Sequence, residues 1–305
     1  MRFYVDRCVF SQCCLLLIGA SFCSIAARLI SEPLDSLAYC FFIAAILLIW
    51  IAIVLGLNAL TNGMPMFFRQ LIHWFYAQTL ELFVLAMLVL LGVASFFRKS
   101  HPVMSFGKNQ PILLVHGYLN AGFVWGYHKK YLSKNGFGPI YTIDLGHPFQ
   151  SIRTYALKVQ QKARQIAQEN GTSELSLIGH SMGGLVSYYY TAKLAPAHSV
   201  SQVITIGSPL QGTRVAKIGL GQCTREMEIN SNFLKELHES IELCSHVQFY
   251  NIASTTDELV IPYSSAILKS DSNHQFYLDD IGHASMLFSK RVSDQLCSWL
   301  RTDIK

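Results

Sequence analysis

The pattern of apolar positions divides the chain into two parts. In residues 1–100, long apolar stretches contain few charged side chains. Three stretches, near residues 8–30, 37–60 and 77–97, are long enough to cross a bilayer as helices, which takes about 20 apolar residues. From residue 101 onward, short apolar runs alternate with longer amphipathic stretches. We therefore predict an all-α transmembrane segment over residues 1–100 and a globular domain over residues 101–305.

The second part has the alternating pattern of strands and helices. Apolar runs bounded by glycine, proline or aspartate predict buried strands at residues 112–115, 140–143, 175–178, 203–206, 247–252 and 275–278. Helical spacing of apolar residues predicts helices at 152–170, 182–195 and 284–301. This alternation is typical of an α/β domain in which helices flank a mostly parallel sheet. Residues 210–246 lack a strand pattern and exceed the length of a simple connection, so we expect a cap over a functional site.

Composition agrees with a membrane segment and weighs against nucleic-acid binding. The chain is 51% hydrophobic and 14% charged, whereas about a quarter of the residues in an ordinary soluble domain are charged. The net charge of +5 is spread thinly, with no run of lysine or arginine longer than two. Basic residues are balanced on the two sides of the predicted spans, so the positive-inside rule does not determine the orientation of the domain.

Two features of the first part leave alternatives open. The basic start before the first span also fits a cleaved signal peptide, although Arg28 follows without a small-residue cleavage site. Glu81 is the one acidic residue of the third span. Acids in such segments are often functional, and the alternative is that Glu81 lies at headgroup depth and faces water.

The cysteines suggest no metal site. Five of the eight lie in the apolar segment, where they behave as small hydrophobic residues. Cys223, Cys244 and Cys297 remain, and their spacing does not match a metal-ligand pattern. A Cys223–Cys244 bridge in an oxidising compartment and three unpaired thiols are both open. No phosphate loop or zinc-hydrolase motif occurs.

A G-x-S-x-G pattern identifies a candidate nucleophile. Residues 179–183 read Gly-His-Ser-Met-Gly and lie between a predicted strand and a predicted helix. A serine nucleophile must stand clear of the sheet on a tight turn, and the flanking glycines permit that backbone. We therefore predict Ser181 as the nucleophile. His180, inside the motif, is expected to pack or hydrogen-bond rather than to act as a base.

A serine hydroxyl needs a base, and the base needs an acid that orients it. His283 follows the 275–278 strand and precedes the last helix, where we expect the base. Asp257 follows the 247–252 strand and is the expected acid, with Glu258, Asp279 and Asp280 as alternatives. The backbone N–H groups of Met182 and of Tyr118, which follows the first strand, are the expected oxyanion donors.

Five motifs in this order, LVHGY, GHSMGG, IGSPLQGT, STTDELVIP and IGHASMLFS, resemble the α/β-hydrolase superfamily, specifically its bacterial lipase/esterase-like members. The resemblance covers about residues 110–300. It implies an α/β-hydrolase fold, a catalytic triad of Ser181, Asp257 and His283, and oxyanion donors at Tyr118 and Met182. It implies no cofactor, and we expect no metal because no calcium-site pattern is found. Some bacterial members have apolar amino-terminal spans, so the resemblance also implies a multi-pass protein of the bacterial inner membrane.

We therefore expect a membrane-anchored serine hydrolase that cleaves carboxylic esters through an acyl-enzyme. The anchor favours lipid or acyl substrates, and the expected partners are such a substrate and the bilayer, with no nucleic acid. A thioesterase or an amidase with the same triad is one alternative. A non-catalytic binding module of the same fold is another, whereas a channel is disfavoured because each span holds at most one charged side chain.

Overall fold

The computed structural model describes residues 110–172, 174–268 and 274–302, together with Thr79, Glu81 and Val84. The predicted spans near residues 8–30 and 37–60, and most of the span near 77–97, lie outside the described residues. Among the residues that are described, we find no helix with both the length and the apolar character of a membrane span.

Six parallel strands form one sheet in the spatial order β2-β1-β3-β4-β5-β6. The strands are β1 (Ile112–Val115), β2 (Ile140–Ile143), β3 (Leu175–His180), β4 (Val200–Ile206), β5 (Gln248–Ser254) and β6 (His274–Leu278). The strand order reverses at β1, because the chain moves to β2 on one side and then to β3 on the other. In open parallel sheets, ligands bind beside the carboxyl ends of the strands at such a reversal.

Over the described part of residues 110–302, six α-helices and several short turns lie between the strands or follow β6. The helices are α1 (Gly126–Lys134), α2 (Ile152–Asn170), α3 (Met182–Tyr189), α4 (Gln222–Glu226), α5 (Asn232–Ile241) and α6 (Lys290–Thr302). A π-helical turn (Tyr190–Leu194) continues α3, and 3-10 turns cover Gly122–Trp125, Arg214–Ile218, Tyr263–Ala266 and Ser285–Phe288. The boundaries of α2 have local causes: the Ser151 hydroxyl accepts a hydrogen bond from Thr154 N at 3.1 Å, and Gly171 ends the helix with φ 65°.

The two faces of the sheet carry separate apolar cores. Leu113 and Leu177 point to one face and pack with α2 and α3. Leu114 and Ile178, one position further along each strand, point to the other face and pack with α6. Because helices cover both faces, each central strand is buried on both sides, which is why the strands appear in the sequence as continuous apolar runs.

Residues 210–246, the predicted cap, contain helices α4 and α5. These helices pack against α2 and α3: Arg153 pairs with Glu226 at 3.0 Å, and the rings of Phe233 and Tyr189 stack at 5.5 Å. The segment before α4 reaches the strand ends, where the Tyr118 hydroxyl donates to the carbonyl of Leu220 at 2.9 Å.

The three cysteines of the second part, Cys223, Cys244 and Cys297, are buried free thiols. Of the two alternatives left open by the sequence, the structure therefore has unpaired thiols and no Cys223–Cys244 bridge. All three thiols have a raised pKa because burial disfavours the thiolate.

The described residues of the first part pack on the domain. Val84 belongs to the same apolar core as Ile281 and Met286. Glu81 is 0% exposed and accepts hydrogen bonds from the backbone that follows His283. The alternative in which Glu81 faces water is therefore wrong: its carboxylate is buried because it satisfies backbone N–H groups of the domain.

His128 makes the fold sensitive to acid. It is fully buried on α1, where its Nε2–H donates to Met286 O at 3.0 Å and its Nδ1 accepts from the Ser293 hydroxyl at 2.8 Å. Burial lowers the pKa of His128 to about 4. Because the unfolded chain binds the proton more readily, the contribution of this histidine to stability is complete above pH 6.5 and is lost as the pH falls toward 4.

We expect the wild-type chain to lose about 2 kcal/mol more unfolding free energy between pH 7.5 and pH 5 than the His128→Gln variant does. Denaturant unfolding followed by tryptophan fluorescence measures this difference. Parallel pH dependence of the two proteins would contradict the assigned role of His128.

Candidate active site

Ser181 stands on a strained turn between β3 and α3. Its φ of 55° and ψ of −128° lie outside the regions that most residues adopt. Its backbone N–H donates to Ile206 O at 2.9 Å, which ties the turn to the end of β4. The side chain is half-buried. The turn thus holds the hydroxyl at the carboxyl edge of the sheet, where the motif predicts a nucleophile.

The loop after β1 lies directly beside Ser181. A Cβ atom on Gly117 would lie 2.8 Å from Ser181 Cβ, closer than two such atoms approach in proteins, so this close approach requires glycine. Tyr118 follows immediately, and Met182 occupies the first position of α3, where backbone N–H groups lack partners within the helix. Both predicted oxyanion donors therefore belong to backbone that flanks Ser181, and their catalytic role stays a prediction.

His116 holds the loop after β1 in place, a role the sequence did not reveal. Its Nδ1–H donates to Gly117 O at 2.8 Å, and its Nε2 accepts from Leu145 N at 3.0 Å. This pair of bonds needs a neutral ring, and burial lowers the pKa of His116. His116 thereby joins the loops that follow β1 and β2. The one feature of the sequence that could have indicated this role is a histidine directly before a glycine at the end of a strand, and that feature also fits an ordinary turn.

Asp257 is the acidic side chain that contacts the ring of His283. His283 Nδ1 lies 2.8 Å from Asp257 Oδ2 and 3.1 Å from Oδ1. Oδ1 also accepts from the backbone N–H groups of Leu259 and Val260, which fixes the carboxylate. Two alternative acids do not hydrogen-bond to the imidazole ring. Asp280 pairs with Arg291 at the surface, and Glu258 accepts a hydrogen bond from the backbone N–H of His283 at 3.3 Å.

The environment of His283 favours its protonated form. Burial alone would lower the pKa of this imidazole, but the charge of Asp257, its hydrogen bond and the charge of Glu81 outweigh burial and raise the pKa. The ring is therefore a stronger base than an ordinary histidine. Asp257 also fixes the tautomer, because a proton on Nδ1 leaves Nε2 free to accept one.

The loop that carries His283 must return across the sheet. It leaves β6, which lies three strands from β3, or about 14 Å at the usual spacing of parallel strands. The ring nevertheless reaches the end of β4. Gly207 follows that strand, and a Cβ atom added to it would lie 3.3 Å from His283 Nδ1. The ring centroid is also 4.7 Å from that of His180, the neighbour of Ser181.

Side chains from other elements anchor this loop by its backbone. The hydroxyls of Ser254 and Thr256 donate to the carbonyl of Ile281 at 2.5 and 2.7 Å. His180 Nε2–H donates to the carbonyl of His283 at 3.1 Å. Burial and the charge of His283 hold the pKa of His180 well below its usual value, so His180 is a neutral hydrogen-bond donor, as the sequence suggested.

The structure does not join Ser181 to His283 directly. Among the described residues, the ring of His283 hydrogen-bonds to Asp257, and no hydrogen bond links it to Ser181 Oγ. In unliganded hydrolytic enzymes this contact is often long and shortens only when substrate binds. Within the described part of the chain, histidine, cysteine and acidic side chains form no group of three suited to a metal ion.

Comparison with known proteins places these residues within a family domain. The profile of the family described as PGAP1-like alpha/beta domain matches residues 141–299, from β2 into α6. The match includes Ser181, Asp257 and His283. Ethanol acetyltransferase 1 of Wickerhamomyces ciferrii is 20% identical over 208 residues, which cover 63% of this chain and 53% of that protein. The chain thus spans about half the length of the curated relatives it matches.

Two solved lipases share the fold. A Bacillus licheniformis lipase in its mature form superposes with a TM-score of 0.54 and 19% identity, over 67% of this chain and 95% of that one. Aspergillus fumigatus lipase B gives a TM-score of 0.56 and 19% identity, over 66% of this chain and 55% of that one. The predicted α/β-hydrolase fold, a parallel sheet with flanking helices, is therefore confirmed for the second part.

The close approach of Gly117 to Ser181 is directly testable. In Gly117→Ala the added methyl group pushes against Ser181, and a displacement near 1 Å can cost about 100-fold in rate. We expect fluorophosphonate labelling of the full chain at Ser181 to slow by about that factor. Gly126→Ala is the matched control, because a Cβ there meets nothing within 4 Å. Equal labelling rates for the two variants would show that crowding at Ser181 has no consequence.

Proposed function

The chain belongs to the family of PGAP1-like alpha/beta domains, and from that membership and the site geometry we propose that it is a serine hydrolase that cleaves carboxylic esters. The observation that carries the proposal is the 2.8 Å hydrogen bond between Asp257 and His283 beside the strained turn of Ser181. A buried carboxylate that orients an imidazole near a serine hydroxyl is the arrangement that activates the hydroxyl.

In the proposed reaction, Ser181 Oγ attacks the carbonyl carbon of the ester while His283 Nε2 takes its proton. Asp257 stabilises the imidazolium that forms. The N–H groups of Tyr118 and Met182 hold the oxyanion of the tetrahedral intermediate, and one such donor is typically worth about 10²–10³ in kcat. His283 then protonates the departing alcohol, which leaves an acyl-enzyme at Ser181. Water, activated by the same histidine, releases the carboxylic acid.

The residues around the candidate site suit an apolar acyl group. Leu119, Phe149 and Leu220, here called the apolar rim, are 64%, 38% and 67% exposed. Tyr118 connects them: its hydroxyl bonds to Leu220, and its ring lies 6.4 Å from that of Phe149. Exposed apolar side chains grouped beside a site commonly contact an apolar ligand or a membrane. We propose lipid or other long-chain esters as substrates.

The membrane anchor is also a proposal. It rests on the apolar stretches near residues 8–30 and 37–60, which would hold the domain beside a bilayer. The third predicted span, near residues 77–97, does not support the anchor in the same way, because its Glu81 and Val84 are buried against the domain. Such an anchor would bring the apolar rim close to lipid substrates. The same stretches support the proposal of a multi-pass membrane location, and its assignment to a bacterial inner membrane rests on the resemblance to bacterial lipase/esterase-like proteins alone.

A second candidate is acyl transfer to an alcohol. Relatives named ethanol acetyltransferase match this chain, and an alcohol that replaces water at the acyl-enzyme would yield a new ester. Both reactions use the same acyl-enzyme, as would cleavage of a thioester or an amide. Product analysis in the presence of ethanol separates transfer from hydrolysis.

The nucleophile is tested by comparing two serines in the full chain. Ser181→Ala should abolish fluorophosphonate labelling and lower ester turnover at least 10³-fold, because the attacking oxygen is lost. Ser208→Ala is the matched control, since Ser208 is fully buried beside Gly184 and should keep both activities. If the wild-type chain is neither labelled nor active on any ester, the non-catalytic binding module becomes the better interpretation.

The acid is tested by Asp257→Asn, which keeps the shape of the side chain but removes its charge and favours the wrong tautomer of His283. By analogy with other serine hydrolases, kcat should fall by about 10⁴-fold. Asp280→Asn, which changes an acid in a surface ion pair near His283 in sequence, should retain kcat within about twofold. Near-normal turnover in Asp257→Asn would move the assignment to another acid.

A further inference from the structure

We propose that Glu81, in the apolar segment that precedes the domain, is a positioning residue that holds His283 in its catalytic orientation. This inference rests on the proposed function, because it assigns His283 the role of the base. It assigns Glu81 no contact with the substrate.

Glu81 binds the backbone immediately after His283. One carboxylate oxygen, Oε2, accepts from Ser285 N at 2.9 Å and from the Ser285 hydroxyl at 2.8 Å, and Oε1 accepts from Ala284 N. Hydrogen bonds to an ionised carboxylate are roughly twice as strong as neutral ones. Three donors on consecutive residues therefore fix the start of the 3-10 turn that follows His283.

The loop leaves space for this carboxylate. A Cβ atom on Gly282 would lie 2.6 Å from Glu81 Oε2 and 3.0 Å from Glu258 Oε2. Any larger residue at position 282 would push against both carboxyl groups. Gly282 thus permits two buried acids to approach the backbone on either side of His283.

Glu258 completes the arrangement. Its Oε2 accepts from the backbone N–H of His283 at 3.3 Å, and its side chain is hydrogen-bonded to Glu81. Burial, then the charges of Glu81 and Asp257, raise the pKa of Glu258 well above its usual value. The neighbouring carboxyl groups thus disfavour the ionised form of Glu258, since adjacent buried carboxyl groups cannot all be ionised at low cost.

These contacts restrain the backbone of His283 on every side. Its N–H is held by Glu258, its carbonyl by His180, and the next two N–H groups by Glu81. These hydrogen bonds are needed because the loop extends from β6 back across the sheet and is not part of the sheet itself. If Glu81 were lost, buried N–H groups would lose their acceptors and the loop would rearrange to satisfy them.

Glu81 also acts on the charge state of His283. The titratable groups that face His283 are Asp257, Glu258, Glu81 and His180, and the charge of Glu81 raises the pKa of the imidazole. Removing that charge should lower the pKa of His283. A base with a lower pKa stays deprotonated at lower pH, so the acidic limb of kcat/KM should move to lower pH.

The test uses the full chain, with Glu81→Gln as the main variant. We expect kcat for ester hydrolysis to fall about 10- to 100-fold and the acidic limb of kcat/KM to shift to lower pH. Val84→Ala is the matched control. Val84 lies three residues after Glu81 and packs in the apolar core with Met286, but its side chain has no polar group that could hold the loop of His283. This variant should lose thermal stability but keep the wild-type kcat and the wild-type limb.

Glu81→Asp separates geometry from charge and serves where Glu81→Gln does not fold. The carboxylate charge remains in Glu81→Asp, so the acidic limb of kcat/KM should stay at its wild-type pH. The shorter side chain cannot reach the N–H groups of both Ala284 and Ser285, so kcat should fall. Wild-type kcat in either variant, an unmoved limb in Glu81→Gln, or the same changes in Val84→Ala would overturn the proposal. A wild-type chain that fails to label at Ser181 would instead overturn the proposed function, and this inference with it.

Discussion

The structure of the site depends on one buried hydrogen bond, between Asp257 and His283, at the end of a loop that returns across the sheet. His283 leaves the sheet at β6, while Ser181 stands at β3, three strands away. The intervening loop has no sheet ladder to fix it, so its backbone polar groups are satisfied by side chains. Ser254 and Thr256 donate to Ile281 O, and acids or His180 bind the residues that follow. Because buried polar groups are costly when unpaired, this set of bonds specifies one loop conformation.

The histidines near the strand ends have pKa values shifted in opposite directions, although all of them are buried. Burial lowers the pKa values of His116 and His180, which act as neutral donors and acceptors that hold loops. His283 is equally buried, yet its pKa is raised, because Asp257 hydrogen-bonds to the ring and the charges of Asp257 and Glu81 favour the protonated imidazole. The difference comes from the neighbouring carboxylates. A site with several buried imidazoles can therefore contain a single strong base, with the others in structural roles.

Much of this arrangement could be predicted from the sequence, for identifiable reasons. Strands β1 and β2 and helix α2 were predicted with their observed bounds, because buried strands are continuous apolar runs and α2 has helical apolar spacing and a glycine stop. Helix α1 was missed because its buried face includes His128, which a hydropathy pattern counts as polar. The helix predicted over residues 284–301 is divided at Ser289, between a 3-10 turn and α6. Among the acids near His283, motif order favoured Asp257, but only the distances separate it from Glu258.

The sequence marks Glu81 as an acid in an apolar segment but does not reveal its partners, because they include backbone groups more than 200 residues away, which leave no pattern in the side chains. Hydropathy divides the chain near residue 100, yet Glu81 and Val84 pack against the domain beyond that division. An acid in an apolar segment is costly unless it is paired. Here the loop of His283 supplies the donors, and the carboxylate in turn holds the loop. Glu81 and Val84 are therefore part of the domain in the physical sense, and a chain shortened to residues 101–305 lacks one of the groups that hold the loop of His283.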